Sequence, residues 1–377
     1  MRKRLLLLSA YDAPSHAYWR HQLRNQLTEF EWTELSLPPR YFNWRIRGNA
    51  MQWASTESDR LARDYDLVLA TSMVDLASLR GLIPKLAAAP SLLYFHENQF
   101  AYPAGRQRHD NIEPQIVPLY AALCADMIVF NSAFNRDTCR EGVRQLAKRL
   151  PEGLPAQLFT KLDAAGVLPV PVISAGDSHS SRTALPTDSP MEIVWNHRWE
   201  YDKGIELLAH IIEQVKQTGL RYRFHIVGQQ FRHRPEAFEE IDRHLNEISA
   251  HFDMPRGNFG YIEDTDRYQA LLTSCHVVLS TAKHDFQGLS VQQACLAGCQ
   301  AAVPDALAYP EYIPPAFRYR TCEDSRQTAT AAVSLLRDIR SRLEDGAWSK
   351  IDLSAYSGRD LLNRYRDVFR SLINNSS

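Results

Sequence analysis

The sequence predicts an α/β chain of two doubly wound domains, and three observations carry that reading. Short apolar runs of buried-strand type alternate with amphipathic stretches through the first half. A stretch rich in Ser, Gly, Pro and Thr, residues 173–190, then interrupts the pattern with almost nothing that could enter a core. After it the alternation restarts and runs to about residue 303 before two closing helical patterns. Strand–helix alternation argues for parallel sheets with helices on both faces. The 377 residues accommodate two or three domains of roughly 100–200 residues each.

In order along the chain, 5–10 predicts a first strand and 15–27 the helix that follows it. Further buried strands are predicted at 67–70, 91–95 and 126–130, with helices at 74–83, 112–124 and 135–150 between and after them. Beyond the interruption come strand 193–196, helix 204–218, strand 224–227 and helix 235–249. A short strand near 259–262, helix 265–273, strand 276–280, helix 289–297 and strand 300–303 follow, and helices near 326–343 and 358–373 close the chain. The expected domains are 1–172, a linker at 173–190, and 191–377, the last helix being a candidate to return to the first domain. Ligands of such sheets bind at the carboxyl ends of the strands, so an interdomain cleft is where chemistry belongs.

Composition narrows the function. Apolar residues make 45% and charged residues 23% of the chain, which excludes a disordered or fibrous protein. The formal net charge of −1 gives no whole-chain electrostatic grip on nucleic acid and leaves only a local basic patch open. No apolar run approaches the roughly 18 residues of a membrane span. Arg2-Lys3-Arg4 followed by Leu5–Leu8 imitates a signal peptide, but the run stops at Ser9 and reads as a strand. The six cysteines contain no C-x-x-C pair and mostly sit in apolar stretches. Reduced thiols in a cytoplasmic protein, with no zinc site, are expected.

Two clusters in the second half carry the strongest chemistry. The strand ending at Asn196 runs into His197-Arg198-Trp199-Glu200-Tyr201-Asp202-Lys203-Gly204, where a helix begins. Arg198, Lys203 and helix N-terminal amides together make an anion site suited to phosphates; a solvated turn with Arg198 paired to Glu200 or Asp202 is the equal alternative. The second cluster, Ser280 to Ser290, again leaves a strand and opens a helix. There Gly288 permits close approach, Asp285 offers a carboxylate to sugar hydroxyls, and Gln293 lies eight positions on. Capping and ordinary packing are the plain alternative.

In the first half, Tyr94-Phe95-His96-Glu97-Asn98-Gln99 ends a strand with four polar residues, a reasonable catalytic centre. Tyr11 to His16 follows the first strand, with Ser15 as a contact residue or an N-cap. Residues 38–53 interleave Arg40, Arg45 and Arg47 with Tyr41, Phe42, Trp44 and Trp53. That pattern suits base stacking and phosphate contact, and Arg106, Arg108 and His109 could extend it. An amphipathic helix with snorkelling arginines is the alternative.

Together these elements resemble the GT-B retaining glycosyltransferases related to family four. More narrowly the chain resembles the tRNA-queuosine α-mannosyltransferases, the glycosyltransferase-like domain-containing protein one family. The stretches that carry the likeness are SHAYWRHQL from Ser15, NWRIR from Asn43, YFHENQFAYP from Tyr94, VFNSAFN from Val129, WNHRWEYDKG from Trp195 and STAKHDFQGLSVQQA from Ser280. The resemblance implies a GT-B fold: two Rossmann-like domains with an interdomain cleft and C-terminal helices. It implies GDP-mannose as donor, held by Arg198, Lys203, Asp285, Gly288, Leu289 and Gln293. It implies the cyclopentenediol of queuosine in a tRNA, tRNA-Asp first among them, as acceptor. The acceptor would be met near Ser15, His16, Arg45, Arg47, Glu97, Asn98 and Gln99.

His96, Arg198, Lys203 and Asp285 are the implied catalytic set. No divalent metal is expected, because fixed cations stand where the leaving diphosphate develops charge. Three departures from the family pattern are visible. Asp12-Ala13-Pro14-Ser15 stands where many GT-B enzymes have glycines, and Asp285 and Gln293 replace the two glutamates of Glu-x7-Glu. A lipid or polysaccharide acceptor, a non-catalytic binding protein and a sugar-nucleotide epimerase stay open as alternatives, as does UDP in place of GDP. Base choice is expected around residues 260–262.

Overall fold

The computed structural model describes residues 2–102, 112–173, 183–230 and 235–375. Pro103, Arg106, Arg108, His109 and most of the expected linker, at 174–182, lie outside the described residues. The chain divides into two compact units, Met1–Pro171 with Ser354–Ser377, and Val172–Leu353.

The first unit is a sheet of six parallel strands in the order β2-β1-β3-β4-β5-β6. Its elements are β1 Arg4–Ser9, α1 Pro14–Gln26, β2 Glu31–Ser36, α2 Phe42–Thr56, α3 Ser58–Leu61, β3 Leu67–Thr71, α4 Leu76–Leu82 and β4 Ser91–Phe95. After them come α5 Glu113–Cys124, β5 Met127–Phe130, α6 Ala133–Ala147, α7 Ala156–Asp163 and β6 Gly166–Val167. Leu5 to Leu8 are fully buried, as are Leu67 to Ala70. A strand covered on both faces has no polar side, which is why it appears as an unbroken apolar run. β2 lies at the sheet edge and keeps Glu31 exposed and Glu34 half-buried; it was absent from the predicted elements.

The helix after β1 begins at Pro14 with Ala13 as an uncapped N-cap, so Ser15 is not the cap. Proline at the first position needs no N–H there and presets the helical φ. Residues 42–56 are a helix, and its buried side carries Arg45, Ile46, Asn49, Ala50 and Trp53.

The second unit is also six parallel strands, in the order β12-β11-β10-β7-β8-β9. It runs β7 Met191–Asn196, α8 Ile205–Val215, β8 Tyr222–Val227, α9 Ala237–His251, β9 Phe259–Gly260 and α10 Thr265–Ser274. It continues with β10 Val277–Leu279, α11 Leu289–Leu296, β11 Gln300–Pro304, β12 Arg318–Tyr319 and α12 Ser325–Glu344. Strand order reverses between β7 and β10, the topological switch point where α/β sheets open a binding crevice. Residues 183–189 are tied to this unit: Leu185 N–H donates to Leu343 O, and Arg340 donates to the carbonyls of Thr187 and Ser189.

The last helix, α13 Gly358–Asn375, packs in the first unit. Its Tyr365 hydroxyl donates to Pro169 O at 2.8 Å and accepts from Trp19 Nε1 at 3.0 Å. Phe369 meets Phe30 and Trp32 edge-on. Among the described residues no helix is long and apolar enough to cross a membrane. All six cysteines are free thiols; Cys139, Cys275, Cys295 and Cys299 are buried.

Candidate active site

At the switch point of the second sheet the loops after β7 and β10 are stitched to each other. Lys203 sits one residue before Gly204, whose φ of +69° starts α8 in the left-handed region. A Cβ at Gly204 would lie 1.9 Å from the carbonyl oxygen of Thr281, so only glycine lets the two loops close. Thr281 Oγ1 donates to Lys203 O, while the N–H groups of Lys283 and His284 donate to Asp202 O. These bonds aim the Lys203 ammonium inward: it is buried, donates to His284 O at 2.7 Å, and lies 3.3 Å from Asp202 and 3.8 Å from Asp285.

Asp285 accepts the N–H of Gly288 at 2.9 Å on one oxygen and the Tyr309 hydroxyl at 3.2 Å on the other. Burial alone would raise its pKa, but Lys203, His197 and the Gly288 N–H outweigh it and hold the carboxyl below its usual range. Tyr309, pushed well up by burial and then by Asp285, remains a phenol. A chain of hydrogen bonds runs from His197 Nε2 to Ser280 Oγ (3.0 Å), on to the Tyr309 hydroxyl (2.8 Å) and to Asp285. The carboxylate end can only accept, so each hydroxyl donates toward Asp285 and His197 carries its proton on Nε2. Burial, then the Lys203 charge, lowers the His197 pKa to about 4, keeping the ring neutral.

Arg198 is half-exposed and paired to Glu200 at 2.9 Å and to Asp202 at 3.7 Å. The turn reading and the cation-cluster reading therefore describe one arrangement: the carboxylates hold the guanidinium beside Lys203. Gly288 caps α11 with φ +79°, and a Cβ there would meet the Tyr312 hydroxyl at 2.4 Å. Leu289 opens that helix, whose first-turn amides have no partner within it. Gln293, half-buried, lies on the same helix. The arrangement provides two cations and a helix N-terminus for an anion, with a neutral hydrogen-bond relay behind the Asp285 carboxylate. Tyr309 was not singled out in the sequence, and Ser280 was given there only as the first residue of the second cluster. Tyr309 follows the next parallel strand, β11, which is the only positional signal for it.

In the first unit His96 leaves β4 buried, stacked on His16 with centroids 4.1 Å apart and flanked by Trp19 and Tyr94. Burial, then the neighbouring His16, pushes its pKa well below the ordinary histidine value. Its Nε2 is buried with no hydrogen-bond partner among the described residues. Glu97 accepts the Tyr102 hydroxyl at 2.8 Å and lies 3.5 Å from Gln99 Nε2. Asn98 is spent on the scaffold: its amide nitrogen donates to Asn135 and Thr138, and its oxygen accepts the N–H groups of Phe100 and Ala101.

Arg45 is buried on Gln52 and Arg47 pairs with Asp75 and Glu113. Ser15 is exposed on the first turn of α1, next to His16. Among the described residues no group of three or more His, Cys, Asp or Glu is placed to hold a metal ion.

Residues 4–172 match the family model described as tRNA-queuosine alpha-mannosyltransferase N-terminal. The chain is 28% identical to the tRNA-queuosine alpha-mannosyltransferase of Drosophila melanogaster, over 98% of this chain and 97% of that one. The family match of this chain is to the tRNA-queuosine α-mannosyltransferases, and its two parallel α/β units have the GT-B glycosyltransferase fold. The fold is shared with sucrose-phosphate synthase of Thermosynechococcus elongatus at a TM-score of 0.65, with 14% identity over 99% of this chain and 100% of that one. It is shared too with a UDP-forming trehalose-phosphate synthase of Burkholderia xenovorans at a TM-score of 0.64, with 13% identity over 100% and 99%.

Proposed function

We propose that the protein transfers mannose from GDP-mannose to the cyclopentenediol of queuosine in tRNA, with retention. The observation that carries the reading is the Lys203–Arg198 pair at the switch point, together with a family match that covers the unit carrying His96. In this reading the second unit binds the donor. Charge grows on the leaving diphosphate as the glycosidic bond breaks, and Arg198, Lys203 and the α11 amides beginning at Leu289 stabilise it. One preorganised donor of this kind is worth about 2.7–4 kcal/mol. The cations do this work without a divalent ion.

Asp285 keeps spare lone pairs on both oxygens for sugar hydroxyls, and its ionised state suits accepting rather than donating. Gln293 meets the donor ribose as an amide. A retaining enzyme with a protein nucleophile needs a carboxylate at the reacting carbon. Asp285 is already engaged by the Gly288 N–H and the Tyr309 hydroxyl, so front-face attack, with the donor phosphate taking the acceptor proton, fits better. Neutral His96 orients substrate through its open Nε2 and is not a general base of ordinary pKa. His16 and Ser15, with Glu97 and Gln99, border the acceptor, while Asn98 and Arg45 shape the site from behind.

The test uses purified protein, GDP-mannose, and bulk tRNA from cells with and without queuosine. Digestion and mass spectrometry should find queuosine heavier by one hexose, and only in queuosine-containing tRNA. Donor binding without any hexose gain moves the assignment to another acceptor or to a binding role; no donor binding overturns it.

A further inference from the structure

The amino-terminal end of α2 presents an aromatic surface that the proposed transfer chemistry does not use. Tyr41 is 73% exposed, Trp44 54% and Met51 57%. On a helix, positions 44, 47, 48 and 51 share one face, so the exposure forms a stripe. Trp44 does not hang free along it. Its indole lies against Gly48, so close that a Cβ at 48 would come within 2.5 Å of the ring. One face of the indole is thus seated on backbone while the residue stays half-exposed to solvent.

Tyr41 holds a left-handed backbone, φ +57°, at the N-cap of α2. That region is uncommon and costly for a bulky side chain, yet a large aromatic ring stands there in water. The Arg40 guanidinium lies 5.9 Å from the Tyr41 ring centroid. Residues 38–56 contain three arginines and no acidic residue. Arg47 is ion-paired to Asp75 at 2.8 Å and to Glu113 at 3.2 Å, and Arg45 is buried against neutral Gln52.

We propose that Tyr41 and Trp44 form a stacking platform for unpaired bases of an RNA acceptor, with Arg40 beside it for the backbone phosphates. Seated aromatic rings with a local excess of cations are the chemistry of single-strand recognition, because every base has a π-face and every linkage a negative charge. The inference rests on the reading of RNA as acceptor and assigns a surface to it. It also revises which residues of 38–56 meet RNA: of the expected contacts, Arg45 is buried and Arg47, though exposed, is ion-paired to Asp75 and Glu113, whereas Arg40, Tyr41 and Trp44 are exposed.

The test measures binding of a fluorescent anticodon stem-loop RNA to the full chain by anisotropy, alongside hexose transfer to tRNA. Trp44→Ala should weaken RNA binding by between about fivefold and about 150-fold, the range for losing one base–aromatic stack. Gly48→Ala keeps the tryptophan but lifts its ring, and should weaken binding comparably although alanine is the better helix former. Arg40→Gln should reduce the dependence of log affinity on log salt by about 0.7, one released counterion on a single strand. GDP affinity and the melting temperature report that the variants stay folded.

Wild-type affinity in both Trp44→Ala and Gly48→Ala overturns the platform, even if hexose transfer proceeds. Loss of binding in both with no hexose transfer by the wild type keeps the platform and overturns the transfer reading. A wild type that binds no RNA also overturns the platform, and the transfer assay then decides the parent reading separately.

Discussion

Lys203 is the residue on which most of the second unit's polar centre converges. Its ammonium is buried between His284 O, Asp202 and Asp285, so removing it strips charge from the anion site and leaves the partly buried Asp285 carboxylate without its cation. Lys203→Met should abolish transfer and cost about 3–5 kcal/mol of stability, the usual penalty for breaking a buried pair from one side. The double variant with Asp285→Asn should regain much of that stability and none of the activity, and urea unfolding of both proteins checks it. Half-exposed Arg198 gives the cleaner catalytic test. Arg198→Ala should lose turnover and change the unfolding midpoint little, since an exposed pair contributes only about 0–1 kcal/mol.

His197 sets a pH dependence at the same scale. Its folded pKa of about 4 lies below the unfolded value near 6.5. Between those two values the unfolded chain binds a proton that the folded chain does not. Stability from this group is therefore complete above pH 6.5 and falls as pH drops toward 4. Between pH 6.5 and 5 the loss is about 2 kcal/mol. The stability of His197→Gln should fall less steeply over that interval than that of wild type.

At the scale of elements, two glycines with nearly the same positive φ separate geometry from packing. Gly204 has φ +69° and its missing Cβ faces the Thr281 carbonyl; Gly219 has φ +68° and nothing within 4 Å. Gly219→Ala should cost about 1–2 kcal/mol, the left-handed penalty alone. Gly204→Ala adds a collision with backbone that cannot move without parting β7's loop from β10's, and should cost several kcal/mol or prevent folding of the second unit. Paired denaturation curves measure the difference. Elements of this kind were partly legible in the sequence. β1, β3, β4 and β10 are buried on both faces along their apolar stretches, so each appears as an apolar run, and in β7 residues 193–195 do the same. β2 was missed because an edge strand keeps charges such as Glu31 and needs its neighbour to become a strand at all. The cations of the site were legible because His197 to Gly204 directly follows a strand. The Tyr309–Ser280–His197 relay was not, because Tyr309 reaches Asp285 from 24 positions away, through sheet order that no local pattern encodes. Nor could spacing alone say that Asn98 would spend its amide nitrogen on α6 and its oxygen on the backbone of Phe100 and Ala101.

At the scale of the whole molecule, each unit closes its own core, yet the first unit is assembled from both ends of the sequence. The link is specific. Tyr365 ties Trp19, Tyr94 and Pro169 together through one hydroxyl, Phe369 fills the space beside Phe30 and Trp32, and Arg366 pairs with Glu29 at 2.6 Å. Burying Tyr365 and Phe369, fully enclosed in this unit, contributes roughly 1.5–3 kcal/mol for the phenylalanine side chain alone. Without α13 that apolar surface and the Trp19 N–H lose their partners together, which is more than a marginal domain can absorb. A fragment of residues 1–171 should therefore bind a hydrophobic dye and lack a cooperative melt. The same fragment joined through a flexible Gly/Ser linker to residues 354–375 should regain one. Residues 183–353, which retain the Leu185–Leu343 and Arg340 anchors, should unfold cooperatively without either. Cooperative folding of 1–171 by itself would reduce α13 to a surface addition.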